Sequence, residues 1–296
     1  MSDDLHERVR RLPDTWWQTA RSASALVQWF KFHLLGLLIG GAGRGGWQYE
    51  VYSGFLLNRL QSLLWVTAGH VIDRVDAILQ SPTFDISVMA WLDWYEKPGA
   101  EGVRVHNRNL EMKSWKDEGL DLGVVLLTGL DEGNIRANPE VRPVDEQIWM
   151  NLKEAQIEGY YLIGFPQAWA NVASTPEGEG KIRRKLKAEI ACLPVLELPR
   201  ETISVQDDVA ARPDVFRGRV LPYIDNPDFD IQTIAGMSGG PVLAVERTEK
   251  GQIAYRLAGL VSTWRGTDQQ VQIIPVHIIV SAIERWEAER PTPQQQ

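Results

Sequence analysis

Three short segments of this chain carry residue types that could act together in chemistry. The first spans residues 236–241 and reads Gly-Met-Ser-Gly-Gly-Pro, with Ser238 at its centre. Glycines let a backbone turn sharply, expose one hydroxyl group and aim its own N–H groups at whatever that hydroxyl attacks. The segment therefore suits a nucleophile with an oxyanion hole, and an ordinary glycine-rich β-turn is the alternative interpretation.

The second segment brings a histidine directly after a strand-like run. Residues 63–66 are apolar, and Thr67, Ala68 and Gly69 lead from them into His70. A histidine placed in this way could act as a general base, since its ordinary pKa lies near neutral pH. The remaining histidines have no such context and are interpreted as structural or surface residues: His6, His33, His106 and His277.

The third segment places an acid at the head of a run that reads as a buried strand. Asp121 immediately precedes the apolar residues 122–127. A carboxylate beside so apolar a run is costly to bury unless a donor hydrogen-bonds to it, and an imidazole N–H would serve. A turn or strand-capping role for Asp121 is the alternative.

Together the three segments resemble the trypsin-like (chymotrypsin-fold, S1-type) serine peptidases. The blocks Thr-Ala-Gly-His ending at His70, Asp-Leu at Asp121 and Gly-Met-Ser-Gly-Gly-Pro around Ser238 follow that family's motifs in its order. The resemblance covers residues 45–290 and is strong in the motifs and weak in the loops between them. The chain has one cysteine, so it resembles the disulfide-free, prokaryotic-style members of that family.

The resemblance implies an all-β fold of two antiparallel six-stranded barrels, with a helical N-terminal extension and a C-terminal helix. The expected organisation is an extension over 1–40, a first barrel over 41–150, a second barrel with its closing helix over 151–290, and a disordered tail over 291–296. The first barrel would carry His70 and Asp121, and the second would carry Ser238.

The resemblance also implies a serine endopeptidase. Ser238 would attack the peptide carbonyl while His70 takes its proton, Asp121 would orient the imidazole, and the product would be an acyl-enzyme. The backbone N–H groups of Gly236 and Ser238 are the expected oxyanion donors. No metal or organic cofactor is implied, since no cluster of histidines, cysteines or acids has ligand spacing.

The resemblance implies a substrate pocket at Gln232, Thr233, Ser262 and Trp264, the positions that correspond to the family's pocket residues. A neutral Gln232 would give the pocket no fixed charge that attracts lysine or arginine. Trp264 either narrows the pocket or packs against a loop or solvent. Met237 stands where the family's propeptide-activated members have an aspartate, so activation by that route is not expected.

Composition bounds the partners. The formal net charge is −8 and the isoelectric point is near 5.3, which disfavours nucleic acid, and a protein or peptide substrate is expected. The single cysteine, Cys192, together with a start that lacks the layout of a signal peptide, favours the cytoplasm. The apolar stretch 25–43 is interrupted by polar residues and is interpreted as an amphipathic helix leading into the first barrel, with no membrane span.

Two alternatives to a constitutively active peptidase stay open. In one, the chain keeps the barrels but no longer cuts and acts mainly by binding protein. In the other, its cleft forms only when a regulatory partner binds the aromatic-rich residues 1–40.

Overall fold

The structure is a computed structural model. It describes residues 27–28, 30–59, 62–92, 103–106, 108–139, 141–145, 148, 156–176, 182–198, 216–221, 234–247, 253–265 and 269–290. Residues 1–26 of the extension expected over 1–40, together with Gln232, Thr233 and the tail over 291–296, lie outside the described residues.

The described part of the chain is built mainly from antiparallel strands. In the first half these are β1 (Gly36–Gly43), β2 (Gly46–Tyr52), β3 (Phe55–Arg59), β4 (Ser62–Ala68), β5 (Asp85–Leu92), β6 (Val103–Arg104), β7 (Glu111–Ser114) and β8 (Leu122–Leu127). In the second half they are β9 (Gln156–Gly164), β10 (Asn171–Pro176), β11 (Ile182–Lys187), β12 (Ala191–Glu197), β13 (Phe216–Val220), β14 (Pro241–Arg247), β15 (Ile253–Arg265) and β16 (Gln270–Pro275). The helices are α1 (Gly69–Leu79), α2 (Gly129–Ala137) and α3 (Val276–Glu289).

The second half contains a closed six-stranded barrel, as expected. Its strands follow the order β12, β13, β16, β15, β14 and β9, and β12 pairs with β9 to close it. Side chains alternate between the two faces of a strand. On β14, Val242 and Ala244 therefore join the cluster inside the barrel, while Leu243 and Val245 pack in the cluster shared with the first half and α3. Strands β10 and β11 form a separate hairpin.

The first half differs from the first barrel expected over residues 41–150, because its described strands form two separate four-stranded sheets. One has the order β2, β1, β5, β6 and the other the order β3, β4, β8, β7. The two sheets enclose an apolar core in which the rings of Trp65 and Trp91 meet edge to face, with centroids 5.3 Å apart. Single-residue bridges from Leu34 and Val144 reach β3 instead of a further strand, so the described strands do not close into a barrel.

Two sequence-based boundaries also differ from the structure. The pattern of residues 49–57 predicts one strand, but the chain breaks into β2 and β3 at Ser53 and Gly54. A Cβ on Gly54 would overlap the indole of Trp65, so the chain passes that ring at a residue without a side chain. Strand β1 begins at Gly36, earlier than the boundary at residue 40.

The expected C-terminal helix is confirmed as α3. Ile279, Ile283 and Trp286 lie on one face of it and are buried, as their spacing predicts. Trp286 contacts the ring of Trp115, and Arg59 binds Glu284 and Glu287 of the helix, so α3 ties the two halves together. Within the described ranges, no helix combines the length and apolar character that crossing a membrane requires.

Candidate active site

His70 and Asp121 lie in direct contact. His70 is the second residue of α1, which begins as β4 ends, and Asp121 immediately precedes β8, the neighbour of β4. His70 Nδ1 lies 2.9 Å from Oδ2 and 3.1 Å from Oδ1 of Asp121, and the His70 backbone N–H donates to Oδ1 at 2.8 Å. One carboxylate therefore holds both the ring and the main chain of His70.

This contact decides which nitrogen of the imidazole carries the proton. An ionised carboxylate only accepts hydrogen bonds, so in the neutral ring the proton sits on Nδ1, facing Asp121. Nε2 is then left as an acceptor. The His70 side chain is 41% exposed, so Nε2 can be reached by another group, which is what a general base needs.

The segment around Ser238 is a tight turn that depends on two glycines. Gly236 has φ +96° and Gly239 has φ +88°, in the region that L side chains rarely adopt. A Cβ on Gly236 would also lie 2.8 Å from the Gln167 backbone nitrogen and 2.9 Å from the Phe165 carbonyl oxygen. Side chains are excluded at Gly236 by both backbone conformation and space.

The turn packs directly on the strand that leads into His70. Gly239 lies so close to Thr67 Oγ1 and the Ser53 carbonyl that a Cβ there would overlap both atoms. Thr67 Oγ1 donates to the Ser53 carbonyl at 2.7 Å, and both residues are fully buried. Ser238 is thus held next to a glycine that packs on Thr67, three residues before His70.

Ser238 and His70 are not hydrogen-bonded in this structure. Both belong to the described residues, and no hydrogen bond joins Ser238 Oγ to the His70 ring among the contacts of that part of the chain. Catalytic hydrogen bonds are often long in ligand-free active sites and tighten when substrate binds.

The expected oxyanion donors make no hydrogen bond to a backbone carbonyl of the described residues. Over the described ranges, the N–H groups of Gly236 and Ser238 have no backbone acceptor, whereas those of Met237, Gly239 and Gly240 each have one. The two free N–H groups are therefore available to an outside acceptor.

The expected pocket residues are only partly described. Ser262 is buried on β15, with its Oγ 3.5 Å from Thr263 Oγ1, and Trp264 is partly exposed and packs against the barrel cluster. For Trp264 this favours packing on the barrel. Gln232 and Thr233 lie outside the described residues.

A polar cluster joins α1 to β2, one helical turn beyond His70. Arg74 pairs with Glu50, and Tyr52 donates a hydrogen bond to the same carboxylate. Burial alone would raise the pKa of Glu50, but the hydrogen bonds from Arg74 and Tyr52 outweigh it and leave the pKa below its ordinary value. Glu50 is therefore a carboxylate at neutral pH and ties β2 to the helix that carries His70.

Two residues with contacts at the site were not predicted. Ser53 and Gln167 hold the backbone around Gly236 through hydrogen bonds from Ser53 Oγ to the Gly236 carbonyl and from the Gln167 N–H to the Ala235 carbonyl, both at 2.7 Å. The sequence signal for Ser53 is a serine-glycine pair that interrupts the apolar run of β2 and β3. No local pattern marks Gln167. The described residues contain no group of three or more His, Cys, Asp or Glu side chains that could hold a metal ion.

Comparison with known proteins gives likenesses in structure alone. No family model and no curated protein matches the sequence. The chain is similar to the Rv3671c protease from M. tuberculosis in its active form, at 12% identity and a TM-score of 0.43, over 96% of this chain and 90% of that one. It is also similar to the catalytically inactive tobacco etch virus protease complexed with substrate, at 11% identity and a TM-score of 0.38, over 88% of this chain and 86% of that one. Both likenesses concern the course of the backbone, and the candidate site rests on its own contacts.

Proposed function

We propose that this chain is a serine endopeptidase with Ser238 as nucleophile, His70 as general base and Asp121 as the group that orients His70. One observation carries the proposal. Asp121 holds Nδ1 of an exposed imidazole, and the Ser238 turn packs on the strand residue three positions before that imidazole. The proposed base and nucleophile thus lie in different halves of the chain, which pack together where Gly239 meets Thr67.

The chemistry follows from these groups. His70 Nε2 accepts the Ser238 hydroxyl proton as Oγ bonds to the peptide carbonyl carbon, and the negative charge on the carbonyl oxygen is met by the N–H groups of Gly236 and Ser238. His70 then returns the proton to the leaving amine as the C–N bond breaks, which leaves an ester on Ser238. Water, deprotonated by the same imidazole, hydrolyses that acyl-enzyme.

An extended peptide is the substrate form that the neighbouring strand favours. Gly239 and Gly240 exchange hydrogen bonds with Val261 of β15, at 2.7 and 3.0 Å. Beyond Val261, residues 263–265 pair with β16 on one side, and no described strand pairs with them on the other. A peptide added there as a further strand would start beside Ser238, and its main chain would supply the hydrogen bonds.

The proposal is tested by covalent labelling and by cleavage. A fluorophosphonate probe is expected to label the native chain at Ser238, and Ser238→Ala should abolish that label. Incubation with a peptide library should then show internal cleavage by the native chain and none by Ser238→Ala. Native chain that folds but neither labels nor cuts would refute the proposal.

A second candidate is a module that binds protein without cutting it, or that cuts only when a partner completes the site. The absence of a Ser238–His70 hydrogen bond among the described contacts favours it, since the base is not bonded to the nucleophile there. A partner-dependent site would label only with the partner present or after removal of residues 1–40. A silent module would label under neither condition.

A further inference from the structure

The turn that carries Ser238 is held by contacts that the chemistry of a serine, histidine and aspartate does not itself require. The most buried of these comes from Ser53, which lies in the first half between β2 and β3 and is fully buried. Its hydroxyl donates to the Gly236 carbonyl at 2.7 Å and accepts from the Phe165 N–H at 2.8 Å. One side chain of the first half thus holds two backbone groups of the second half.

A second contact acts on the preceding peptide group. The Gln167 N–H donates to the Ala235 carbonyl at 2.7 Å, and the Gln167 side chain accepts the Val51 N–H at 3.0 Å with Oε1. Gln167 is thereby anchored on β2 while it holds the residue before Gly236.

These two contacts decide where the N–H groups of the turn point. The peptide bonds of the described residues are all trans, so each carbonyl points away from the N–H of the same peptide group. With the Ala235 carbonyl held by Gln167, the Gly236 N–H must point to the opposite side. With the Gly236 carbonyl held by Ser53, the Met237 N–H is turned to its own acceptor, the Ile234 carbonyl at 3.0 Å.

The next peptide group completes the pattern. The Met237 carbonyl accepts from the Gly240 N–H at 2.9 Å, which leaves the Ser238 N–H on the other side. Among residues 236–240, the two N–H groups without a backbone acceptor in the described chain are therefore the two expected oxyanion donors, Gly236 and Ser238, and each lies opposite a held carbonyl.

Gly236 makes such holding necessary. A glycine at φ +96° can adopt the required turn, but without a side chain it has little intrinsic preference for keeping it. A peptide group that turned over at Gly236 would remove one donor from the oxyanion hole. Ser53 on one side of Gly236 and Gln167 on the other supply the restraint that the glycine lacks.

We propose that Ser53 Oγ and the Gln167 N–H are positioning groups for the oxyanion hole, so that the hole is formed before substrate binds. This inference rests on the proposed function. It makes the first half of the chain responsible both for the base and for the geometry of the donors in the second half.

The test compares Ser53→Ala with Tyr255→Phe. Tyr255 is a matched control because its buried hydroxyl also bridges the two halves, 2.9 Å from His33 Nε2, but lies away from the Ser238 turn. Labelling with a fluorophosphonate probe is followed at a temperature where both variants are folded. Ser53→Ala should label at least about tenfold more slowly than native chain, approaching the loss of about 10² that removal of a whole donor causes. Tyr255→Phe should stay within about twofold of native chain, since it touches neither donor.

A second readout separates positioning from a general loss of structure. On a peptide that the native chain cleaves, Ser53→Ala should lower kcat while KM stays within about twofold, since the donors act on the transition state. Native-like kcat in folded Ser53→Ala would overturn the positioning role and leave the peptidase intact. Native chain that never labels would overturn both.

If Ser53→Ala does not fold, a pair of variants at Gln167 decides the matter. Gln167→Ala keeps the backbone N–H and Gln167→Pro removes it. Position 167 is the first residue of a short 3-10 helix, and Pro166 before it has the extended conformation that a following proline requires. Gln167→Pro should label at least about tenfold more slowly than Gln167→Ala. Equal rates in the two folded variants would overturn the proposal.

Discussion

The first half of the chain contains two histidine–aspartate pairs with nearly the same local geometry. Asp121 Oδ1 accepts the His70 backbone N–H at 2.8 Å and lies 3.1 Å from Nδ1. Asp131 Oδ1 accepts the His106 backbone N–H at 2.9 Å and lies 3.0 Å from Nδ1. The two imidazoles are also equally accessible, at 41% and 43% exposure.

The pairs differ in what surrounds them. Asp121 precedes β8, and the Ser238 turn packs on the strand that leads to His70. Asp131 lies in the first turn of α2 and fastens the segment after β6 to that helix. Within the described ranges, the His106 ring makes no hydrogen bond beyond the one to Asp131.

The comparison shows that a histidine–aspartate pair can have a purely structural role, in which it holds a backbone segment in place. One carboxylate satisfies a backbone N–H and a ring N–H together, which stabilises a loop wherever the two are adjacent. Only a nucleophile and oxyanion donors facing Nε2 would turn such a pair into a catalytic one. We therefore expect substitutions in the His70–Asp121 pair to lower activity. Substitutions in the His106–Asp131 pair should lower stability and leave activity nearly unchanged.

The largest difference is expected for the histidines themselves. His70→Ala should reduce the rate of fluorophosphonate labelling by more than about 10⁴, because Ser238 would lose its base, and His106→Ala should leave it within about twofold. Labelling rates of the two purified variants, each checked for folding by circular dichroism, test the expectation. Equal losses would mean that the two pairs do not differ in function.

The aspartates are expected to separate activity from stability. Asp121→Asn should lower kcat/KM by about 10³–10⁴, because an amide can donate to Nδ1 and so favours the wrong tautomer of His70. Asp131→Asn should leave kcat/KM near native and lower the free energy of unfolding by about 1–3 kcal/mol, since its buried carboxylate serves two donors. Urea unfolding and peptide cleavage, measured on both variants, give the two quantities.

A third histidine allows the effect of pH on folding to be separated from its effect on catalysis. His33 is fully buried between the Arg142 carbonyl and the Tyr255 hydroxyl, and burial lowers its pKa to about 4, with nearby Asp145 opposing the shift only weakly. Unfolded chain binds this proton near pH 6.5, so stability is lost as pH falls from about 6.5 to about 4, by up to about 3 kcal/mol.

Unfolding in urea at several pH values measures this loss. His33→Gln should flatten the dependence in that window by about one proton. Peptide cleavage followed over the same pH range, on native chain that remains folded, reports catalysis apart from this loss of stability. A dependence of unfolding on pH that His33→Gln leaves unchanged would contradict the assignment of the loss to His33.

Motif spacing predicted the residues whose chemistry restricts their type. The candidate base His70, the candidate acid Asp121 and the glycine turn around Ser238 could be selected from the sequence. Only a few residue types can transfer a proton, orient an imidazole or adopt positive φ. Likewise the period of Ile279, Ile283 and Trp286 predicted the buried face of α3, because a helix must cover an apolar face.

Contacts between distant segments were not predicted. Ser53 and Gly236 are 183 residues apart, and nothing local in either segment announces that they meet. The first barrel was expected from the resemblance, but sheet closure depends on which strand edges meet, and here isolated residues such as Val144 pair with the edge of β3. His106 was interpreted as a structural or surface residue, but its contact with Asp131 was not predicted for the same reason, since that pairing depends on how α2 packs beside β6.

The smallest effect is expected from the exposed ion pairs on the two helices involved. Arg74 on α1 pairs with Glu50, and Arg136 on α2 pairs with Glu132, with both arginine side chains more than a third exposed. Exposed pairs contribute about 0–1 kcal/mol, so Arg74→Gln and Arg136→Gln should each lower the free energy of unfolding by less than about 1 kcal/mol. Labelling at Ser238 should change by less than about threefold in both, because His70 is held by Asp121 rather than by the ion pair one turn later. A large loss of labelling in Arg74→Gln alone, at unchanged stability, would show that the position of His70 depends on the orientation of α1. Glu50, which holds Arg74, would then be a further residue that distinguishes the His70–Asp121 pair from the His106–Asp131 pair.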